Sequence, residues 1–389
     1  MAENNEILFS IITAVYNNEV LVKSAIQSVL EQSYKNFEYI IVDDGSTDNT
    51  PRILDEIAKT DERIKVVHQK NQWIFASFNT GIINARGKYI FIVNSDDTMT
   101  PGTLEKVSRV AENYDPDIIF TQIEQHLCDE EQNIIKPDLN GYSKMILQEE
   151  YLEDEKAFRN KWIDLIKKRY VSNNINFYKS SLAKEHLYRN DNYMGDRFFN
   201  NEIARYAKTA YILGGYICYN HFIYESERNA SRKYYAYSHA IGNEIYDDFI
   251  SILEEWGIDS EENVRSICAK RIEDLSYEYR LLKAANCPLN IDEKIAYMIS
   301  GSLDDTVMKC VEITGDFENI QARILSGIRE MLLIEELKKE DSMYFVQKML
   351  ESLLRYEKDE DDYSYIKNGV YNERNPYRIG EVFYKKIAE

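Results

Sequence analysis

Short apolar runs alternate with amphipathic stretches of helical length through the first third of the chain. Residues 8–15 form an apolar, β-branched run of the kind that makes a parallel strand buried on both faces. Residues 20–32 then set Leu21, Ala25, Val29 and Leu30 at helical spacing. A second buried strand is expected over 37–42, followed by the polar turn Asp43-Asp44-Gly45-Ser46-Thr47-Asp48. Thr50-Pro51 predicts a helix start, with a capping residue and a proline at the first helical position. A strand over 63–68, a helix over 74–85 and a strand over 89–94 follow. Thr100-Pro101 predicts a further helix running to about Asn113, and 118–124 reads as a strand. This alternation predicts an α/β fold, a doubly wound and mostly parallel sheet.

Beyond Gln125 the pattern is irregular, with strand signals near 175–178 and 210–219. From about Ala236 the chain reads as helices only. Ile241, Ile245, Phe249, Ile252 and Trp256 share one face, as do Val264, Ile267, Cys268, Ile272, Leu275 and Tyr279. Asp341-Ser342 precedes another stripe: Phe345, Val346, Met349, Leu350 and Leu353. The expected organisation is an α/β domain over 1–235 and an all-α C-terminal domain over 236–389. The helical stripes, with Leu332 and Leu333, predict acceptor binding or self-association as a homodimer through these helices.

Charge narrows the partners. The 389 residues carry 47 Lys plus Arg against 67 Asp plus Glu, a formal −20, and residues 235–389 hold 19 basic against 32 acidic side chains. Such a chain repels nucleic-acid backbones and anionic lipid. At 44% hydrophobic it has ample material for a core. No run approaches the ~18 apolar residues of a transmembrane segment, and the N-terminus is acidic where a secretory leader is basic. The five cysteines (128, 218, 268, 287, 310) never pair as Cys-x-x-Cys, which predicts reduced thiols in a cytoplasm. The histidines are equally scattered, so any metal should be held by oxygen.

Ligands of doubly wound sheets sit at the carboxyl ends of the strands. Three polar clusters fall there, at residues 13–17, 43–48 and 94–97, and topology alone predicts that they converge on one crevice. Each has a structural and a functional reading. Asp96 and Asp97 either cap the helix expected at Pro101 or bind a hard divalent cation completed by phosphate oxygens. Asp43 either belongs to an ordinary Asp-Gly turn or accepts the imide hydrogen of a uracil.

The segments SIITAVYN, FEYIIVDDGSTDNT and NTGIINARGKYIFIVNSDD stand in order with helix-length spacers. Together they resemble the family 2 glycosyltransferases, inverting enzymes of the GT-A, nucleotide-diphospho-sugar transferase-like fold. The resemblance covers roughly residues 6–125, and 126–232 more weakly. It implies a UDP-sugar donor and a Mn2+ or Mg2+ ion. Asp43 would be the uracil ligand, with Thr13, Val15 and Tyr16 as the nucleoside wall. Asn71, Asn79, Asn94 and Ser95 would complete the nucleotide site, and Asp96 and Asp97 would hold the metal. Two departures stand out. Asn94 replaces the first motif aspartate, and Trp73 and Phe78 stand where many relatives carry Gly and Arg.

The segment YMGDRFFNNEIARYAKTAYIL resembles the family's base-bearing segment and makes Asp196 the candidate general base, with Asp191 and Glu202 as alternatives. Read as bare sequence, Asp196 is equally a cap for a helix starting at Arg197. In YESERNASRKYY, Arg228, Ser231 and Arg232 either close over the diphosphate or form surface ion pairs. His221, without a spaced partner, reads as a core or rim histidine. The resemblance implies transfer to a glycan or lipid-linked glycan acceptor in surface polysaccharide synthesis, in the cytoplasm or at the inner face of the membrane. A non-catalytic nucleotide-sugar-binding or scaffold protein and a nucleotidyltransferase are the alternatives.

Overall fold

The computed structural model describes residues 6–171, 176–189, 193–226, 229, 232–302 and 304–315. The stripe beginning at Phe345, together with Leu332 and Leu333, lies outside them. The chain divides into two compact units, one of Met1–Asn229 with Ser251–Ile258, the other of Ala230–Ile250 with Asp259–Glu389.

The first unit is built on one mixed sheet. Its elements run β1 (Phe9–Val15), α1 (Val22–Leu30), β2 (Phe37–Asp43), α2 (Thr50–Ala58), β3 (Ile64–His68), α3 (Ile74–Asn84), β4 (Tyr89–Ile92), β5 (Thr98–Met99), α4 (Thr103–Tyr114), β6 (Ile118–Cys128), β7 (Ile134–Lys136), β8 (Glu150–Leu152), α5 (Glu155–Lys167), β9 (Asn176–Lys179), α6 (Ser180–Glu185), α7 (Gly195–Tyr206) and β10 (Ala210–Tyr224). Strand order is β3-β2-β1-β4-β9-β6-β10-β5, with β7 beside β6 and β8 beside β10. β1 pairs parallel with β2 and β4, and β2 with β3, as the apolar runs predict. β9 enters antiparallel between β4 and β6.

Every residue of β1 and β2 is buried, which explains the mainly apolar composition of these central strands. Phe9, Ile11, Val22, Ile26, Tyr39, Phe91 and Leu104 belong to one core in which sheet and helices meet. The helix starts differ from expectation in their chemistry. At α2, Asp48 rather than Thr50 supplies the acceptor, Oδ1 taking the Thr50 N–H at 2.9 Å. At α4, Gly102 sits at φ 80° and the helix begins two residues after Pro101. There Gln32 Oε1 accepts the Leu104 N–H at 3.2 Å. Helix α5, absent from the pattern reading, is capped by Asp154, whose side chain accepts from Ala157 N.

The described part of the second unit is helical: most of α8 (Ser238–Trp256), α9 (Glu261–Leu281), α10 (Ile291–Ser302) and α11 (Asp305–Thr314). Ile241, Ile245 and Phe249 of the first stripe and Ile267, Cys268, Ile272, Leu275 and Tyr279 of the second are buried as expected. A polar knot accompanies them. Arg271 donates to Glu278 at 2.7 Å and to Asn243 at 3.0 Å, and His239 Nδ1 lies 2.9 Å from Glu278. The last turns of α8 belong to the first unit, where the Trp256 ring lies 5.7 Å from Trp162 and 6.0 Å from Phe158. All five cysteines are thiols.

Candidate active site

Register brings the polar clusters level. Val15 pairs with Asp43, Asp43 pairs with His68, and Val93 N donates to Ile12 O at 2.9 Å, so β1 to β4 end along one edge. Hydrogen bonds then lace the loops together. Asn17 Oδ1 accepts from Thr47 N at 2.7 Å, and Asn17 N donates to Ser46 Oγ at 2.9 Å. Asn18 Nδ2 donates to the carbonyl and the hydroxyl of Ser95, both at 3.0 Å. Two consecutive asparagines therefore fasten the end of β1 to both other clusters.

The aspartates divide their work. Asp43 is buried; Oδ1 accepts from Ser46 N at 3.0 Å and Oδ2 lies 2.7 Å from His68 Nδ1. That hydrogen bond to Asp43 raises the His68 pKa above its usual value, with Asp55 adding to the effect. Asp44, which the sequence reading left without a role, grips the chain after β3. Its Oδ1 accepts from Gln69 Nε2 and Gln72 N, and its Oδ2 accepts from Trp73 N. Gly45 permits this closeness: at φ 76°, a Cβ there would stand 2.9 Å from Asn71 N.

Asp97 is wholly buried and ringed by donors. Oδ2 accepts from Tyr219 OH at 2.8 Å and Asn94 Nδ2 at 2.9 Å, Oδ1 accepts from Phe222 N at 2.8 Å, and His221 Nδ1 lies 3.0 Å away. A carboxylate has about four lone-pair directions, so these donors saturate it. Asp97 is thus an internal tie between the β4 loop and β10. Asn94 turns its amide to Asp97, and His221 is the rim histidine of the sequence reading. Asp96, half-buried beside it, accepts at its carbonyl from Gln132 Nε2 and Tyr224 OH. Neither aspartate caps α4, which begins at Thr103.

Two further candidates are held by bonds within the fold. Thr13 is buried, with Oγ1 donating to Val93 O at 2.7 Å and 2.9 Å from Tyr39 OH, so it ties strands inside the sheet. Asn79 holds the Tyr188 backbone at both ends, Oδ1 accepting from its N–H and Nδ2 donating to its carbonyl. It anchors the segment leading to α7. Val15 is buried, Tyr16 is half exposed and Asn71 is exposed. Arg232 is half-buried and falls in the second unit, while Arg228, Ser231 and Asp191 lie outside the described residues.

Asp196 stands in the first turn of α7, after Met194 at φ 53°. Met194 occupies the cap, so the capping reading of Asp196 does not hold. Burial pushes its carboxyl above the ordinary 3.8, against the pull of Arg197 and nearby backbone N–H groups. An aromatic pile positions the turn: Phe75 stacks on Tyr188 at 5.4 Å, and Tyr188 on Phe199 at 3.9 Å. Gly195 lies so close to Phe75 that a Cβ would come 2.7 Å from its ring. The first turns of α3 and α7 therefore meet, carrying the Asp44-gripped loop and Asp196 side by side. Glu202, the alternative base, pairs with His186 at 3.2 Å and Arg205 at 3.6 Å.

Among the described residues no group of three His, Cys, Asp or Glu side chains is placed to hold a metal ion. A cation at the 94–97 loop would take one carboxylate, Asp96, and complete its shell from water and ligand phosphates, a donor set that suits Mg2+.

Comparisons with known proteins agree with this architecture. The chain is 44% identical over 102 residues to "Putative glycosyltransferase EpsH" of Bacillus subtilis, covering 26% of this chain and 30% of that protein. To "Glycosyltransferase GlyG" of Streptococcus pneumoniae it is 37% identical over 114 residues, 29% of this chain and 38% of the relative. It thus spans about a third of the length of the curated relatives it matches. The crystal structure of S. aureus TarS 1-349 in complex with UDP-GlcNAc superposes with a TM-score of 0.52 at 17% identity, over 89% of this chain and 92% of that one. That likeness shows a shared GT-A fold. Residues 10–183, the segment that holds every strand end of the crevice, match the model of Glycosyl transferase family 2.

Proposed function

We propose that the crevice binds a nucleotide sugar, a UDP-sugar by the chemistry of Asp43, and transfers its sugar with inversion to a hydroxyl of a glycan or lipid-linked glycan. The observation that carries this reading is the placing of Asp196, a carboxyl with raised proton affinity, against the loop that Asp44 holds at the strand ends. A carboxylate so placed takes the acceptor proton as the new bond forms on the face opposite the departing nucleotide. Asp43 receives the base, with Tyr16 beside it, and Asn94 and Ser95 border the ribose. Asp96 would hold the Mn2+ or Mg2+ ion, which supplies positive charge to the leaving diphosphate. Arg232 is assigned to the diphosphate, and the helical unit to acceptor binding or homodimerisation. The S. aureus structure cited above holds UDP-GlcNAc, which supports a donor of that class. No described helix is long and apolar enough to cross a membrane, and we place the reaction in the cytoplasm or at the inner face of the membrane.

The test is a panel of nucleotide sugars offered with Mn2+ and assayed for slow release of free nucleotide. Release from a UDP-sugar, lost in Asp196→Asn while calorimetry still shows UDP binding, is the expected result. UDP binding without release from any donor would leave a non-catalytic nucleotide-sugar-binding protein. Absence of UDP binding would overturn the reading.

A further inference from the structure

Trp73 occupies backbone space that residues with side chains avoid. Its φ of 74° and ψ of 167° lie in the mirror-image extended region that is almost exclusively glycine's. The strain is clamped in place. Asp44 accepts the N–H groups of both Gln72 and Trp73 at 2.9 Å, and the Trp73 carbonyl accepts from Ser77 N and Oγ at 3.1 Å. The result is an indole left 62% exposed. Burying a ring of that size would normally stabilise the fold, and the other two tryptophans do pack, with Trp162 and Trp256 in contact. Here the backbone is held in a costly shape and the ring is held in water.

Its place is equally specific. On one side Asp44, which grips Trp73, donates its own N–H to Val15 O at the end of β1. On the other, Phe75 in the next turn of chain packs against Gly195, the residue before Asp196. The indole thus stands on the rim between the nucleoside side of the crevice and the general base.

We propose that Trp73 is the acceptor platform: its indole face stacks on a pyranose ring of the acceptor and presents the reacting hydroxyl to Asp196. The inference deepens the glycosyltransferase reading of this crevice and rests on it. An aromatic face suits the C–H face of a pyranose, and fixing the ring in advance lowers the ordering cost of binding.

The experiment uses the full chain and the variants Trp73→Gly and Trp73→Tyr. As the exposed indole among the three, Trp73 dominates acrylamide quenching of the emission. In the presence of UDP and Mn2+, the methyl pyranosides of glucose, galactose, mannose and N-acetylglucosamine are titrated as probes. At least one should shield the emission of the native protein. In Trp73→Gly, calorimetry should show its half-saturating concentration raised by about tenfold, and in Trp73→Tyr kept within about threefold. UDP affinity should be unchanged in both, and the urea midpoint of Trp73→Gly should equal or exceed that of the native chain, since glycine relieves the strain. A lowered midpoint would make the indole a structural element and overturn the proposal. Shielding by UDP alone, or loss of UDP affinity in Trp73→Gly, would move Trp73 to the nucleoside wall and overturn it too. UDP binding with no pyranoside shielding would sink the platform while leaving the crevice reading intact. Failure of UDP to bind the native chain would sink that reading and the platform with it.

Discussion

Asp96 and Asp97 are neighbours of the same residue type, yet their environments give them opposite work. Asp97→Ala removes an acceptor from Tyr219, Asn94 and the Phe222 N–H, leaving buried donors unmatched. It should lower stability by about 3 kcal/mol or more in urea unfolding. Asp96→Ala should change stability by less than about 1 kcal/mol and abolish the metal stimulation of donor hydrolysis. Asp196 carries a pH signature. Because its pKa is raised by burial, the base form is lost as pH falls through a value above the ordinary carboxylate range, and turnover should fall on that acid limb. Asp196→Asn should erase the limb and lower turnover by about 10²–10⁴-fold. Its folding linkage runs the opposite way: charging a group with a raised folded pKa opposes folding, so this group's contribution declines as pH rises from 3.8 through the folded value. The Asn variant should therefore be no less stable than the native chain at neutral pH. The motif aspartates were legible as motifs. Which oxygen ties the fold and which faces chemistry was not, because Tyr219, His221 and Phe222, which bond Asp97, lie more than 120 residues away in β10.

Elements with local signals were legible and elements with distant partners were not. Strands β1, β2 and β4 announce themselves by mainly apolar runs, because both faces are covered, and β3 by its β-branched residues. β5 has two residues and owes its existence to pairing with Asn220 and Tyr219, which no window around residues 98–99 contains. The start of α4 was displaced for the same reason, since Thr100 N donates to Cys218 O. The junction of α3 and α7 is an element-scale constraint that a single methyl group tests. Gly195→Ala would drive a Cβ to 2.7 Å from Phe75; overpacking of this kind costs about 1–3 kcal/mol. Turnover should drop while UDP affinity, measured by calorimetry, holds. Adding Phe75→Leu should recover part of the lost stability, and failure to recover any would place the strain elsewhere.

At the scale of the molecule, the net charge of −20 and the helical unit were plain from composition and periodicity. The polar knot inside that unit was not: Arg271 and Glu278 fall on the buried face of α9 but are residue types that solvent ordinarily takes. His239 is half-buried, and its desolvation disfavours the charged form, yet hydrogen bonds to Asp304 and Glu278 outweigh this and raise its pKa above 6.5. Its stabilising contribution is therefore fully present below pH 6.5 and lost as pH rises through the raised value. Urea unfolding followed at pH 6 and pH 8.5 should show a smaller loss in His239→Gln than in the native chain. An equal loss in both would exclude His239 as the source.

The return of Ser251–Ile258 to the first unit has a consequence for how this protein can be divided. The indole that closes the pocket of Phe158 and Trp162 is supplied by a stretch lying after the second unit has already begun. The two units are interleaved along the polypeptide, like clauses nested in a sentence, and no single cut yields both intact. A fragment ending at residue 235 would uncover two large aromatic rings and should aggregate on expression, whereas one ending at residue 258 keeps its Trp256. For the same reason the GT-A half is no interchangeable cassette. A recombination joint placed at the compositional boundary would exchange a helix whose last turns belong to the first unit, so the two should be inherited, and swapped, only together.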